Sequence, residues 1–571
     1  MESIPQPDIT QEIKDEQFFL NPKEIKVEIT PPPENSDKIF NINVGILGHV
    51  DSGKTSLSKK ISSVASTAAF DKNPQSKERG ITLDLGFSAL YLETPQILKE
   101  KYPNNKKLCE SEHIQLTLVD CPGHASLIKT VIAGASIIDT MILVIDAIKG
   151  IQAQTVECIL LSEILCDKIC VAFNKIDLVK KENEIETKVS KLRTIFSKTK
   201  FGNDLPIVPI SSIKTDNENN EDIKGLLSNL LSCINYNEIN NQPQKEGFLA
   251  FVDHCFNIKN KGTIITCTII KGTIKINDEI FFPELQTKKQ VKEIQVFRKP
   301  VPSAGKGDRV GMLIKNLDSE KIERSIICSV NSNEVSTCEG GLFLIKTIKI
   351  FKSEITSNSK FYLMIGNQGV NAKFIFFENE DVINNNTSIK KINVELSKFY
   401  SKEYLFNQSI QNEGEYCFAY VKFDSKILIP NNMIALGSKI DIDISQKTNR
   451  LAFYGKIIDS NIKNVEQKLK LYKMKTKEGS ILRIKDGVAV VRGLFKKDNS
   501  SVESFIGKKV QIKQDKSIKG EILSTFGQSG KIKIKFEQDL ENLKLKDNDN
   551  NEIGFKDFGI ELEYKKYIKF V

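Results

Sequence analysis

The sequence predicts an α/β nucleotide-binding domain followed by three small β-barrels, and three observations carry that prediction. Gly48-His-Val-Asp-Ser-Gly-Lys-Thr55 fits G-x-x-x-x-G-K-[ST] and runs straight out of the apolar segment Ile42–Leu47. Apolar strands then alternate with helical stretches: Asn43–Leu47, Ile114–Val119, Thr140–Ile145, Lys168–Phe173 and Pro206–Ile210. That alternation implies a parallel sheet flanked by helices, with ligands at the strand C-termini. Beyond Gly247 the strands become short and punctuated by glycine, as in Thr263–Ile270, Lys271-Gly272 and Thr273–Ile276, the pattern of small barrels.

A chain of 571 residues with 40% hydrophobic and 27% charged residues is multidomain and of globular composition. No apolar run is long enough to cross a bilayer, so no membrane role is expected. The acidic N-terminus lacks the basic-then-apolar pattern of a leader. The 11 cysteines form no C-x-x-C pair, which points to reduced thiols in a cytoplasmic protein, with nuclear presence open. The net charge of +9 is unevenly spread, because Gln467–Val571 holds 24 Lys or Arg against 15 Asp or Glu. Such a bias is often only a solvated surface, but it is also the electrostatic footprint of a domain working near RNA.

In chain order, residues 1–38 are polar, acidic and contain Pro31-Pro-Pro33, and read as a mostly disordered arm. Residues 39–240 form the nucleotide-binding domain. Gly48 and Gly53 let the backbone curl so that its amides face phosphate, and Asp51, Ser52 and Ser56 complete that loop. Lys54 supplies charge to the terminal phosphates, and the Thr55 hydroxyl is placed for Mg²⁺. Asp120, in Asp120-Cys-Pro-Gly-His124, ends a strand where it can hold Mg²⁺ through water, and the Gly123 amide can sense a γ-phosphate. Between them, Glu78-Arg-Gly-Ile-Thr82 offers a threonine that can close over the γ-phosphate and the metal. In Asn174-Lys175-Ile-Asp177 the carboxylate can accept from guanine's ring N–H and exocyclic amine, a pair adenine lacks. GTP is therefore the expected nucleotide. Ser211 can add a backbone N–H to the guanine oxygen, the weakest of these signals.

These motifs together resemble the translational GTPases of the elongation factor Tu class. Ala65-Ser-Thr-Ala-Ala-Phe-Asp-Lys72 and Lys77-Glu-Arg-Gly-Ile-Thr-Leu-Asp-Leu-Gly-Phe-Ser88 narrow the resemblance to the eukaryotic-type selenocysteine-specific elongation factors. It continues through Gly307–Gly311, Ile434–Ile457 and Leu523–Lys531. The resemblance implies hydrolysis of GTP to GDP and phosphate, with His124 positioning the attacking water and Val50 and Ile81 gating that histidine. It implies a barrel over 246–335 whose Asp253, His254 and Arg309 line an aminoacyl pocket. A selenol ionises more readily than an alcohol, so a cationic pocket would separate selenocysteine from its neutral precursor serine. It implies a second barrel over 340–460 that contacts tRNA. The basic region 467–571, with strand-like Ala489–Val491, Lys509–Ile512 and Lys531–Phe536, would be a third barrel. No tandem winged helices are visible there, so it would meet the selenocysteine insertion element (SECIS) through a separate SECIS-binding protein. The expected partners are selenocysteinyl-tRNA and the ribosome, and the expected state is a monomer. A general elongation factor, an initiation factor and a non-enzymatic GTP-gated RNA regulator are the competing readings.

Overall fold

The computed structural model describes residues 20–34, 38–65, 86–121, 137–213, 221–237, 239, 247–258, 261–317, 322, 324–330, 332–378, 387–439, 449–496, 502–527, 530–546 and 552–570. Ile81, Thr82, Gly123 and His124 lie outside the described residues.

The nucleotide-binding domain is built on an eight-stranded sheet. Its central strand Ile39–Gly48 pairs in parallel with His113–Asp120 on one side and Thr140–Asp146 on the other. Ile169–Asn174 and Ile207–Ile210 extend the parallel run. All five strands expected from the apolar pattern are present, and every residue of Thr140–Asp146 and Ile169–Asn174 is buried, as strands covered on both faces require. Three strands were not legible in that pattern, one of them the short Val64–Ala65, which pairs antiparallel to Gly86–Glu93. Gly86–Glu93 pairs antiparallel to His113–Asp120, and Ile29–Thr30 adds antiparallel to its outer edge.

Ile29–Thr30 corrects the expectation for the arm, because residues 20–34 are part of the fold. Asn21 caps a short 3₁₀ turn by accepting from the Lys23 amide at 3.1 Å. Ile25 and Val27 are buried in the same apolar cluster as Leu226 and Leu230 of the Glu221–Ser232 helix. Glu93 N donates to the Glu28 carbonyl at 3.0 Å, and Thr30 Oγ1 meets His113 Nδ1 at 3.3 Å. The Lys299 ammonium of the next domain donates to the carbonyls of Pro32 and Pro33 at 3.2 and 2.6 Å. Acidic composition masked two apolar anchors that dock by alternation, with Lys26 and Glu28 turned outward.

Two closed barrels follow. In the first, Leu249–Ile258, Gly262–Lys271, Arg309–Ile314, Thr287–Val296, Glu279–Phe282 and Ile326–Ser329 pair in a ring. In the second, Lys360–Ile365, Ile434–Ser438, Leu451–Asp459, Val335–Thr347, Tyr416–Pro430 and Gln368–Phe377 do the same, and pairing of the first with the last closes it. One apolar cluster joins the nucleotide sheet (Leu143, Phe173) to both barrels through Leu249, Phe251, Met364 and Leu451. Glu157, on the Ala153–Leu165 helix, anchors the second barrel by accepting from Arg450 Nε at 3.0 Å, Nη2 at 2.8 Å and the Arg450 amide at 3.2 Å. Both side chains are under one-tenth exposed, so removing either would strand a buried charge.

The chain divides into two compact units: Met1–Ile375 with Ile383–Ile392 and Ser409–Ile462, and Phe376–Val382 with Asn393–Gln408 and Lys463–Val571. The second unit is the third barrel, closed by pairing of Lys470–Lys485 with Gly559–Tyr567. Its expected strands appear as Val488–Arg492, Lys509–Ile512 and Lys531–Phe536. It also recruits the earlier segment Glu403–Asn407, which pairs in parallel with Lys470–Tyr472. Glu403 holds that segment by accepting from Lys565 Nζ and Tyr567 OH, each at 2.7 Å. Residues 393–408 are thus part of this barrel's fold, although local sequence assigned them to the one before.

The docked arm makes a prediction. Ile25→Ala with Val27→Ala should destabilise the nucleotide-binding domain by about 2–5 kcal/mol, the cost of hollowing a packed site. Urea unfolding followed by tyrosine fluorescence checks this, and an unchanged midpoint would mean the arm packs without contributing.

Candidate functional site

The phosphate loop is shaped by two close approaches. Gly53 is left-handed at φ 93° and caps the Lys54–Ile61 helix, and a Cβ there would lie 2.2 Å from the Asn174 side-chain nitrogen. A Cβ on Gly48 would lie 2.3 Å from the Val144 carbonyl oxygen. Asp51 is also left-handed, at φ 59°. These conformations curl the loop so that a helix N-terminus and its amides form an anion cradle. Ser52 Oγ is buried without a hydrogen-bond partner among the described residues, as suits a hydroxyl aimed at phosphate. Val50 is held from behind, its amide donating to Gln154 Oε1 at 3.3 Å. Ser56 is exposed on the first turn of the helix.

Lys54 is nearly buried, and its ammonium donates to the His49 carbonyl at 2.7 Å. Burial pushes its pKa down, and Asp120 leads the groups that oppose the shift, so phosphate arriving here would meet a cation short of counter-charge. Thr55 Oγ1 donates to Asp120 Oδ2 at 2.7 Å. One hydroxyl and one carboxylate, both hard oxygen donors at a phosphate cradle, fit Mg²⁺, which takes few protein ligands and completes its shell with phosphate and water.

Asn174 ties this loop to the base site. Its Nδ2 donates to the Ser52 carbonyl at 2.9 Å and to Ser212 Oγ at 3.1 Å, while its Oδ1 accepts from the Ser212 amide at 3.0 Å. Lys175, left-handed at φ 68°, sends its ammonium to the Asp51 carbonyl and to Asp146 Oδ2, the latter at 2.8 Å. Burial alone would raise the Asp146 carboxyl, but Lys175 and the amides of Lys149 and Ile148 hold it below the usual range. Asp177 is exposed and accepts from Ser211 Oγ at 2.5 Å. The exposed Leu178 and Ile213, 57% and 64% accessible, follow directly after Asp177 and Ser212 and offer apolar surface at the rim. The structure thus brings together Asp51, Ser52, Gly53, Lys54, Thr55, Asp120, Asn174, Lys175, Asp177 and Ser211. Sequence reading missed Asp146 and Gln154, which no motif marks because they act on the loops and not on a ligand.

The first barrel carries a second constellation. Pairing of Leu249–Ile258 with Gly262–Lys271 slips between Val252 and His254, so Asp253 is the extra residue of a β-bulge. Asp253 forms an ion pair with Arg309 Nη1, and Thr268 Oγ1 lies 3.4 Å from the same nitrogen. Arg309 is 5% exposed, its Cζ 3.8 Å from the ring centroid of Phe87 in the nucleotide domain. Burial pushes the guanidinium down to about 9, so it remains a cation at neutral pH. His254 is half-buried in register with Thr266, whose Oγ1 lies 3.4 Å from the His254 carbonyl. The loop before Arg309 is fixed from the nucleotide domain, since Asn41 and Asn43 both donate to the Gly307 carbonyl, at 2.6 and 2.9 Å. Asp139 accepts from the Asn43 amide at 2.8 Å.

Comparison with known proteins places this architecture. Residues 40–254 match the elongation factor Tu GTP binding domain, and 262–328 match elongation factor Tu domain 2. Residues 342–455 match the third domain of eukaryotic selenocysteine-specific elongation factor, and 467–569 match the eEFSec C-terminal RIFT domain. A selenocysteine-specific elongation factor of Mus musculus is 37% identical over 528 residues, covering 86% of this chain and 88% of the relative. One from Methanocaldococcus jannaschii is 32% identical over 508 residues, covering 88% and 96%. The crystal structure of translation elongation factor SelB from Methanococcus maripaludis with the GTP analogue GPPNHP superposes with a TM-score of 0.65 at 27% identity, covering 93% of this chain and 99% of that one.

The seam around Asn43 predicts a pH dependence. Desolvation pushes the Asp139 carboxyl up to about 6, against the Asn43 amide and Lys306. The folded state therefore binds more protons than the unfolded chain between the unfolded value of about 4 and 6, so stability from this group falls as pH rises through that window. Asp139→Asn keeps an acceptor for Asn43 and removes the titration. The stability gap between variant and wild type should widen in the variant's favour from pH 4 to 6, read by urea unfolding. A gap independent of pH would contradict the assignment.

Proposed function

Because the chain belongs to the selenocysteine-specific elongation factors and is a translational GTPase, we propose that it carries selenocysteinyl-tRNA to the ribosome at recoded UGA codons and releases it on GTP hydrolysis. The observation that supports this most is the bulged Asp253–Arg309 pair, a buried cation in the first barrel set directly against the nucleotide domain. A cation in that place suits an anionic selenolate by charge-assisted hydrogen bonding, whereas the neutral serine hydroxyl brings no charge to it beyond that of Asp253. His254 contributes a polar neighbour on the same strand.

In the nucleotide site, the cradle from Asp51 to Ser56 binds the phosphates, and Lys54 neutralises their charge. Thr55, Asp120 and Thr82 would hold Mg²⁺, which when bound stabilises the charge developing on the transferred phosphoryl. Asn174 and Lys175 fix the loops, Asp177 and Ser211 recognise guanine, and Gly123 senses the γ-phosphate. His124 orients the attacking water for in-line displacement, and Val50 with Ile81 restrains it until the ribosome engages. The reaction times release and makes no selenocysteine. The protein acts as a monomer in the cytoplasm, where eleven free thiols are stable, and its basic third barrel meets the SECIS-binding partner.

Two substitutions test the assignment. Asp177→Asn should weaken GTP binding and favour xanthosine triphosphate, since the altered group no longer accepts both guanine donors. GTP affinity at the wild-type level would remove the guanine assignment. His124→Ala should keep GTP and tRNA binding but lose ribosome-stimulated hydrolysis by at least about 100-fold. Unimpaired stimulated turnover would contradict the role given to this histidine.

A further inference from the structure

Three consecutive residues of the phosphate loop are each pinned through the backbone by a side chain from a different element. Lys54, on the helix that follows the loop, donates to the His49 carbonyl at 2.7 Å. Lys175, in the base loop, donates to the Asp51 carbonyl. Between them the Val50 amide donates to Gln154 Oε1 at 3.3 Å. Lys54 and Lys175 belong to the nucleotide motifs, and Gln154 lies outside them.

The His49 carbonyl and the Val50 amide are the two ends of one peptide unit. Because that unit is planar, holding both ends fixes its orientation and with it the direction in which the Val50 side chain leaves the loop. The Lys54 ammonium is shared with the phosphates, so Gln154 is the clamp dedicated to this plane. An amide that donates to Gln154 is also turned away from the phosphates. What Val50 offers the site is therefore its half-buried side chain.

The helix that carries the clamp, Ala153–Leu165, is itself anchored. The Gln152 amide donates to Thr155 Oγ1 at 3.2 Å, closing its first turn. Cys158, four residues beyond Gln154 and on the same face, receives the Gly48 amide, so the helix takes up two amides of the loop. Glu157 accepts from Arg450 Nε and Nη2, with both side chains buried, which fastens the helix to the second barrel.

We propose that Gln154 is a positioning residue for GTP hydrolysis: by holding the His49–Val50 peptide it sets where the Val50 side chain stands, and so keeps hydrolysis slow until the ribosome engages. This rests on the reading above in which Val50 restrains His124, and it names what restrains Val50.

The test uses the full chain with Gln154→Leu, which keeps apolar bulk but has no acceptor, and Gln154→Glu, whose carboxylate keeps an acceptor at the same reach. Single-turnover GTP hydrolysis is measured without ribosomes and with ribosomes and selenocysteinyl-tRNA, alongside GTP affinity and melting temperature. Gln154→Leu should hydrolyse GTP about tenfold faster than wild type without ribosomes, the scale of one lost hydrogen bond, while the ribosome-stimulated rate and GTP affinity hold. Gln154→Glu should return the slow rate, a rescue that loss of packing alone would not give. An unchanged ribosome-free rate in Gln154→Leu, or a faster rate shared by Gln154→Glu, overturns the role. Val50→Ala, measured alongside, separates this inference from the reading beneath it. A faster ribosome-free rate in Val50→Ala with none in Gln154→Leu leaves the gate and removes Gln154 from it. An unchanged rate in Val50→Ala removes the gate and this inference with it.

Discussion

Two asparagine side chains on one carbonyl hold the molecule's working parts in register. Asn41 and Asn43 on the central nucleotide-domain strand both donate to Gly307, two residues before Arg309. Gln115 and Thr117 on the neighbouring strand donate in turn to Asn41 Oδ1, at 2.9 and 2.7 Å. Buried amides left unpaired would cost on the order of 1–3 kcal/mol each, so the barrel loop has one favourable seat on the sheet. That seat sets Arg309 under Phe87, and everything said of the pocket depends on it.

The opposite end of the same central strand opens into the phosphate cradle. Asn174 then acts there much as the other two asparagines act at the seam, joining the Ser52 carbonyl to the loop at Ser212. The Ala153–Leu165 helix joins the two levels of organisation: Gln154 bonds the Val50 amide, and Glu157 buries the Arg450 guanidinium of the second barrel. Phosphate loop, base loop and barrels are thus fixed by a few satisfied polar contacts set in an apolar frame, which specifies one arrangement where apolar packing alone would tolerate several.

Much of this was legible from local sequence. The candidate nucleotide residues follow strand C-termini, where spacing along the chain becomes spacing in space, so the meeting of Thr55 with Asp120 and the neighbourhood of Asn174 and Asp177 could be anticipated from pattern. The strands themselves followed from unbroken apolar runs such as Met141–Ile145. What was not legible was every choice made over long separations. Nothing near Phe87 announces Arg309, nothing near Glu157 announces Arg450, and the glycine-rich turns that marked the barrels gave no sign that 403–407 joins the last of them. The arm is the clearest case. Its charge and its prolines spoke for disorder, yet Ile25 and Val27 fill the core and Ile29–Thr30 pairs with the sheet edge. Composition averages over residues, whereas docking depended on two.

The proposed role is that of a nucleotide-dependent carrier whose pocket selects an anionic aminoacyl group. It is tested most directly by the rate at which the ester bond of selenocysteinyl-tRNA hydrolyses spontaneously in the presence of the GTP-loaded protein, with the same tRNA charged with serine as control. Strong protection of the first and little of the second is the expected result. No protection of either would contradict the carrier, and equal protection of both would leave a carrier without the selectivity assigned to Arg309.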